Sequence, residues 1–302
     1  MHPLELCWAR ATSWIYRGDK YLCNLCGFGA RRLRRRGHNH PVIVSKQISG
    51  AGRRRVDCPK CLSSDRDRLI WKYLKTALPE TNDPISSSHI NKSISNSANI
   101  NPTSNNTKTN ENGPSQFPIL HVAPEIPLSS KLLALQELNF ITYQAIDLKT
   151  PGYHYPQWVK DADLTELPFA DNHFDIIIAS HVLEHIPNLH KALQEIHRTL
   201  KPSGQAMVMF PVSQNQSTDD YYQPSDFQDN KSSPQDPTRQ EKIDRFGQHD
   251  HIRLFGTDAA EILSQSNMKV DVINNFNHPG FFGSYENNSL PSNDILFILK
   301  KE

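Results

Sequence analysis

The chain alternates between blocks with clear apolar periodicity and blocks with almost none. Phe174 to Ala179 is a short apolar run centred on Ile176, Ile177 and Ile178. A run of that length, bounded by turn signals, predicts a strand buried on both faces. Leu189, Leu193, Ile196 and Leu200 follow at three- and four-residue spacing, which is one face of a helix. Lys201-Pro202-Ser203-Gly204 is predicted to stop that helix, because proline cannot continue it and glycine tolerates the turn. Ala206 to Phe210 reads as another buried strand, completing a βαβ unit of a parallel sheet. Further strands are predicted at 117–122, 141–146, 269–273 and 295–299, with a helix at 130–138. Upstream, 64–74 reads as a helix capped by Ser64, with Asp65 and Asp67 in its positive first turn.

Two polar tracts interrupt this pattern. Residues 80–116 are rich in Asn, Ser and Thr and cannot bury enough surface to fold, so they predict a disordered linker. Residues 214–240 form a second polar insertion, although Tyr221, Tyr222 and Phe227 give part of it something to order around. The resulting division is a basic module and helix at 1–79, the linker at 80–116, and an α/β domain at 117–302. The linker is expected to keep the module apart from any pocket in the α/β domain. The tracts also explain an apolar content of only 37%. No apolar run approaches the ~18–20 residues that span a bilayer. The first residues mix charges into their apolar positions and lack a signal-peptide core, so a cytoplasmic location without membrane partners is expected.

Charge and cysteine spacing add chemistry to the first block. The net charge of +1 hides 17 basic against 5 acidic residues over 1–78. The basic charge concentrates in Arg31-Arg32-Leu33-Arg34-Arg35-Arg36 and Arg53-Arg54-Arg55, clusters that attract phosphate-rich or other anionic partners. No aromatic residue interleaves with these arginines in sequence to stack bases. Cys23-Asn24-Leu25-Cys26 and Cys58-Pro59-Lys60-Cys61 are two knuckles. Two intervening residues let both thiolates of a knuckle face one ion, and two knuckles make the closed tetrahedral site of structural Zn²⁺. The arginine-rich segment then forms a loop or hairpin between knuckles. Cys7 has no partner and is expected to be a buried apolar residue.

Several motifs occur together in the second half: Asp163 three residues before Glu166-Leu167-Pro168-Phe169, the FDIIIAS strand, Ser180-His181-Val182-Leu183-Glu184-His185-Ile186, and the LKPSG turn. At these residues the chain closely resembles class I S-adenosylmethionine-dependent methyltransferases, over about 118–302. The knuckle-plus-helix CPKCLSSDRDRLIWKYL resembles a segment preceding the catalytic domain in one bacterial subgroup. The resemblance implies a Rossmann-like α/β sheet flanked by helices, closed by an antiparallel last strand, with the small zinc-binding module in front. It also implies S-adenosylmethionine as cofactor. The turn that usually reads acidic-x-Gly-x-Gly is here His121-Val122-Ala123-Pro124-Glu125, so His121, Ala123 and Glu125 stand at the cofactor's methionine part. Glu125 either pairs with the cofactor ammonium or caps the next helix. Asp147, ending the second strand, is placed to accept the ribose hydroxyls. Asp163 matches the carboxylate that receives the adenine amino group, with Asp161 as competitor, and Leu164 supplies an apolar wall. Ser180 and His181 face the sulfonium and the acceptor.

A general base is needed only where the acceptor holds its proton at neutral pH, as a hydroxyl does. His181, Glu184, His185, His249, Asp250 and His251 are the candidates. His181 to His185 formally fits the HxxEH pattern of inverted zinc proteases, but that motif belongs mid-helix and here straddles a strand end. Quinone-biosynthesis methyltransferases carry acidic and histidine residues at these positions that can hold a divalent ion. The competing reading has Glu184 and His185 shape the cofactor wall and cap the helix. Phe246-Gly247-Gln248-His249-Asp250-His251-Ile252-Arg253 resembles a run of the same subgroup and supplies acceptor-site candidates, Arg253 among them. The leading expectation is methyl transfer to a small-molecule or saccharide-like acceptor. The alternatives are an RNA methyltransferase, as in zinc-ribbon enzymes acting on ribosomal RNA, and a non-catalytic adaptor with a degenerate methyltransferase domain.

Overall fold

In the computed structural model, which describes residues 3–78, 117–227, 236–282, 290 and 293–302, the apolar runs pair into one central sheet. In chain order the strands are β1 (Arg17–Leu22), β2 (Gly29–Ala30), β3 (Arg34–Arg36), β4 (Arg54–Asp57), β5 (Phe117–Val122), β6 (Ile141–Asp147), β7 (Val159–Asp161), β8 (Phe174–Ser180), β9 (Leu200–Met209), β10 (Asp219–Asp220), β11 (Arg253–Leu254), β12 (Lys269–Ile273) and β13 (Leu296–Lys300). The seven-stranded sheet has the order β12-β13-β9-β8-β5-β6-β7. β5 to β9 pair in parallel, whereas β13 is antiparallel to both β9 and β12. This is the Rossmann-like sheet with an antiparallel last strand that the motifs implied. The chain winds outward from β5 to β7, then returns to β8 on the other side of β5. That reversal opens a crevice at the C-terminal ends of β5 and β8, where α/β sheets bind ligands.

Side chains alternate along the inner strands, so both faces are buried. On β8, Ile176 and Ile178 join one apolar cluster, while Phe174, Ile177 and Ala179 join another. Helix Leu189–Thr199 covers the second face through Ala192, Leu193 and Ile196. Asn188 caps this helix by accepting from Lys191 N–H, so Glu184 and His185 do not; they lie in a separate 3-10 turn, Leu183–His185. Lys201 to Gly204 does end the helix, but it continues directly as the start of β9, with Ser203 in the left-handed region. The helix predicted from Ser130 begins four residues earlier, at Ile126, because Pro127 is accommodated in its first turn.

The first face of the sheet is covered by the cysteine module. Leu69, Ile70 and Leu74 of helix Asp65–Ala77 pack in one cluster with Leu25, Phe28 and Leu33 of the module, Leu128 and Leu132 of helix Ile126–Glu137, and Ile119 and Ile176 of the sheet. A second attachment joins Ser49 N–H to Val212 O at 2.8 Å and Lys46 Nζ to Asp219 Oδ2 at 3.1 Å. The module is therefore part of the same core and does not stand apart, which corrects the expectation drawn from the polar tract. Residues 80–116, read as that linker, lie outside the described residues, as do 228–235 of the second tract. The rest of the second tract is tied into the fold: β10 pairs with β11, and Thr218 donates to Asp258 at 2.6 Å.

Two expectations for the module are corrected. Cys7 is exposed on helix Pro3–Thr12 rather than buried. The arginines do meet aromatic rings, supplied from that helix and the turn after it. Arg34 lies 4.8 Å from the Trp8 ring centre, and Arg32 lies 5.2 Å from that of Tyr16. The β3–β4 pair forms the hairpin between knuckles.

Asp294, just before β13, is buried against the module. Its carboxylate has no hydrogen-bond partner and lies 3.6 Å from Arg54 Nη1, which also pairs with the buried Asp65. Burial, then repulsion from Asp65, pushes the Asp294 carboxyl up to about 8, against the pull of Arg54 and Arg66. A raised folded pKa means that the native state holds the extra proton between about 4 and 8. This group's contribution to stability is present in acid and lost as pH rises through 8. Unfolding free energy measured from pH 5 to pH 9 should therefore fall more steeply in the wild type than in Asp294→Asn, which keeps the shape without the charge.

Candidate functional site

The crevice is framed by the turns that follow β5 and β8. Val122 and Ala179 are register partners, so Ala123–Glu125 and Ser180–His181 sit side by side. Both turns hold a non-glycine residue in the left-handed region, Ala123 with φ 48° and His181 with φ 55°. Ala123 thus adopts the conformation that glycine usually supplies at this turn, and its N–H donates to Ile146 O at 2.8 Å. His121 is fully buried. It bridges Tyr143 Oη at 3.1 Å and Glu125 Oε2 at 3.3 Å, and so positions Glu125 rather than facing the crevice. Glu125 precedes helix Ile126–Glu137 but makes no side-chain cap to it. Burial would raise its carboxyl, but the His121 hydrogen bond and the charges of His121 and Arg66 bring it down to about 2.

Asp147 and Asp161 end adjacent strands as register partners. Burial, with Asp161 adding, raises the Asp147 carboxyl. Asp161 Oδ1 accepts from Lys149 N–H at 3.0 Å, and Asp163 Oδ1 accepts from Thr165 N–H at 2.7 Å. Each keeps a second oxygen. Leu164 is buried in the apolar cluster below.

Past β8, Glu184 is completely buried, and its oxygens have no hydrogen-bond partner. Oε1 lies 3.0 Å from His181 Nδ1, poorly aligned for a hydrogen bond, and 4.0 Å from His251 Nε2. Burial would raise Glu184, but the facing histidines hold it near 2. Burial, then the Arg66 charge, lowers His181, and burial lowers His251 to about 4. Both imidazoles are neutral near pH 7. Glu184, His185 and His251 bring their ligand atoms within 4.8 Å of one another. His249 and Asp250 are exposed. Arg253 does not serve the crevice: its guanidinium is buried, donates to the carbonyls of Leu183, Ile186 and Pro187, and pairs with Asp220.

Sequence reasoning missed the contribution of helix Asp65–Ala77. Arg66, Asp67 and Ser64 line one pocket of about 390 Å³ with Pro124 and Glu125. Burial, then repulsion from Glu125, raises Asp67 to about 7. The only signal in the sequence was the run of charges straight after the second knuckle.

The four thiols of Cys23, Cys26, Cys58 and Cys61 also converge. Cys23 and Cys61 Sγ are 3.8 Å apart, and Cys26 and Cys58 Sγ are 3.6 Å apart. A tetrahedral site with Zn–S bonds of about 2.3 Å has edges of about 3.8 Å. Burial opposes ionisation of Cys23, but hydrogen bonds from the other three hold its thiol well below the usual range. The other three are pushed up, chiefly by hydrogen bonding to Cys23. Two buried cations, Arg68 and Lys131, lie beside the cluster and balance thiolate charge.

Residues 134–208, from helix Ile126–Glu137 to β9, match a family model described as a methyltransferase domain. That stretch, about a quarter of the chain, is similar to methyltransferase domains. A stretch of 59 residues is 41% identical to a 2-phytyl-1,4-naphtoquinone methyltransferase of Nostoc punctiforme, covering 18% of this chain and 25% of that protein. Another of 54 residues is 43% identical to a sterol 4-C-methyltransferase of Caenorhabditis elegans, covering 18% and 16%. The chain thus spans a quarter or less of the curated relatives it matches. Among solved structures, the YcgJ protein of Bacillus subtilis aligns with 62% of this chain and 92% of its own, at 16% identity and a TM-score of 0.36. No helix among the described residues is long and apolar enough to cross a membrane. The matched segment runs from the end of helix Ile126–Glu137 through β6, β7, β8 and helix Leu189–Thr199 into β9. His181, Glu184 and His185 fall inside it, whereas His251 and the cysteine module lie outside it.

Proposed function

We propose that the protein is an S-adenosylmethionine-dependent methyltransferase acting on a hydroxyl of a small or saccharide-like acceptor. The observation that carries this reading is the crevice itself: beyond β5 and β8 it gathers Glu125, the orphaned Ser180 Oγ, and a neutral histidine backed by a buried carboxylate. The names of the two relatives point to small molecules, one of them methylated at carbon, so they support the size of the acceptor, and the hydroxyl is argued from the histidine wall. S-adenosylmethionine, when bound, supplies a methyl group already activated by a positive sulfur. Asp147 holds the ribose hydroxyls, Asp163 the adenine amino group, and Leu164 the apolar side of the base. The Glu184 carboxylate, 3.0 Å from His181 Nδ1, stabilises the imidazolium that forms when Nε2 takes the acceptor's hydroxyl proton. His251, neutral and beside Glu184, completes the wall, and exposed His249 and Asp250 flank the approach.

Calorimetry with S-adenosylhomocysteine, which fills the cofactor site without reacting, tests the assignment. Asp147→Ala removes charge-assisted hydrogen bonds of roughly 1.5–3 kcal/mol each, so affinity should fall about tenfold or more. Unchanged affinity in a folded variant would move the ribose elsewhere.

The thiol cluster is proposed to hold one structural Zn²⁺, supported by its edge lengths and adjacent cations. Protein purified without affinity metals should contain about one zinc per chain. Because the module shares the core of the sheet, chelation should lower the melting temperature of the whole molecule in a single transition. A metal content below a tenth of one per chain, with four titratable thiols, would overturn the site.

A second reading, an RNA acceptor, gains from Arg34 and Arg32 lying against Trp8 and Tyr16, with Trp8 and Trp14 more than half exposed. RNA binding through this surface requires log affinity to fall against log salt by about 0.7 per phosphate on a single strand. Replacing Arg34 and Arg35 by Ala would flatten that slope. The expected result is no salt-dependent RNA binding in the wild type.

A further inference from the structure

Four side chains at the edge of the crevice come from parts of the chain far apart in sequence. Asp67 is 2% exposed. Its Oδ2 is spent on Ser64, accepting from N–H at 2.6 Å and from the hydroxyl at 2.7 Å, while Oδ1 is buried with no partner. Arg66 makes no ion pair among the described residues, and its Nε is buried without a partner. Ser180 Oγ, 3% exposed, is likewise unpartnered. Glu125 is held from behind by His121 and not by its own helix. Arg66, Asp67 and Glu125 line the same pocket beside the left-handed turn at Ala123; its other charged residues are Glu5 and Arg36, the latter paired with Asp57.

Leaving a buried donor or acceptor unpaired is unfavourable, so such a cluster marks a place shaped for a ligand. The ligand must offer an anion to a guanidinium and a cation to two carboxylates within one small pocket. A zwitterionic α-amino acid end does both. Resting on the cofactor reading above, we propose that Arg66 and Asp67 of the cysteine module close the cofactor site: Arg66 takes the carboxylate of the cofactor's amino-acid end, while Asp67 Oδ1 and Glu125 take its ammonium. The turn after β5 lacks the usual glycines, and a clamp delivered from the module replaces the backbone approach that glycines permit.

The module's cysteines set the clamp's position. Ser63 Oγ lies 3.2 Å from Cys61 Sγ and 3.4 Å from Cys23 Sγ. The next residue, Ser64, forms a capping box with Asp67. Arg68, one residue beyond, donates to Ser63 O at 2.6 Å. Helix Asp65–Ala77 therefore starts from the thiol cluster and ends its first turn in the pocket.

The test compares S-adenosylhomocysteine with 5′-methylthioadenosine, which lacks the amino-acid end, by calorimetry on the full chain. Wild type should bind S-adenosylhomocysteine more tightly. Arg66→Ala should weaken it by about tenfold or more and leave 5′-methylthioadenosine unchanged; Arg66→Lys should recover part of the loss. Arg66 makes no side-chain hydrogen bond or ion pair among the described residues, so both variants should stay folded and melt in a single transition. The clamp is overturned if Arg66→Ala binds S-adenosylhomocysteine like wild type. It is also overturned if both ligands weaken equally, or if wild type does not discriminate between them. Wild type binding neither ligand would overturn the cofactor reading together with the clamp.

Discussion

Helix Asp65–Ala77 is buried between two things that do not tolerate movement, a cluster of four thiols at its start and the face of a parallel sheet along its length. Leu69, Ile70 and Leu74 are fully buried, and truncating any such residue costs about 2–5 kcal/mol. The helix is therefore fixed in register and rotation. Its first turn, capped by Ser64 and carrying Arg66 and Asp67, is delivered to the crevice with the precision of the core rather than of a loop. The geometry of the pocket depends on this placement, because the sheet's own turn supplies only one ionisable group there, Glu125.

The second organising constraint is charge in low dielectric. Glu125 and Glu184 are both held ionised near 2 by facing groups, although burial alone would neutralise them. Asp67, facing Glu125 without a dedicated cation, rises to about 7. The crevice thus carries fixed negative charge at two points and a neutral histidine between sheet and module. This pattern suits a cationic ligand end on one side and proton removal on the other.

Much of the fold was legible because the inner strands are buried on both faces, and their apolar runs announce themselves. The FDIIIAS strand, the amphipathic helix after it and the two knuckles follow from periodicity and spacing alone. Errors arose where tertiary contacts decide. Cys7 looked apolar by type but sits on an exposed turn of helix Pro3–Thr12. Arg253 looked like a binding residue, yet its guanidinium closes the 3-10 turn at Leu183–His185. Trp8 and Tyr16 stack on arginines 26 and 16 positions away, a pairing that adjacency in sequence cannot signal. For the same reason the place of Arg66 in the pocket was invisible: Glu125, which lines the pocket with it, lies beyond a long polar tract.

The two left-handed residues of the crevice fit this account. A non-glycine residue in that region costs roughly 1–2 kcal/mol. Ala123 and His181 both bear that cost, on the adjacent turns after β5 and β8. Each is over-determined by neighbours: Ala123 N–H is tied to Ile146 O at 2.8 Å, and His181 N–H to Met209 O at 2.7 Å. Strain held in place by backbone bonds to adjacent strands is characteristic of a built site. Ala123 and His181 are half-buried, while the residues before them, Val122 and Ser180, are in the core. The strained turns, the unpartnered Ser180 Oγ and the buried Glu184 carboxylate thus lie together at the C-terminal ends of β5 and β8.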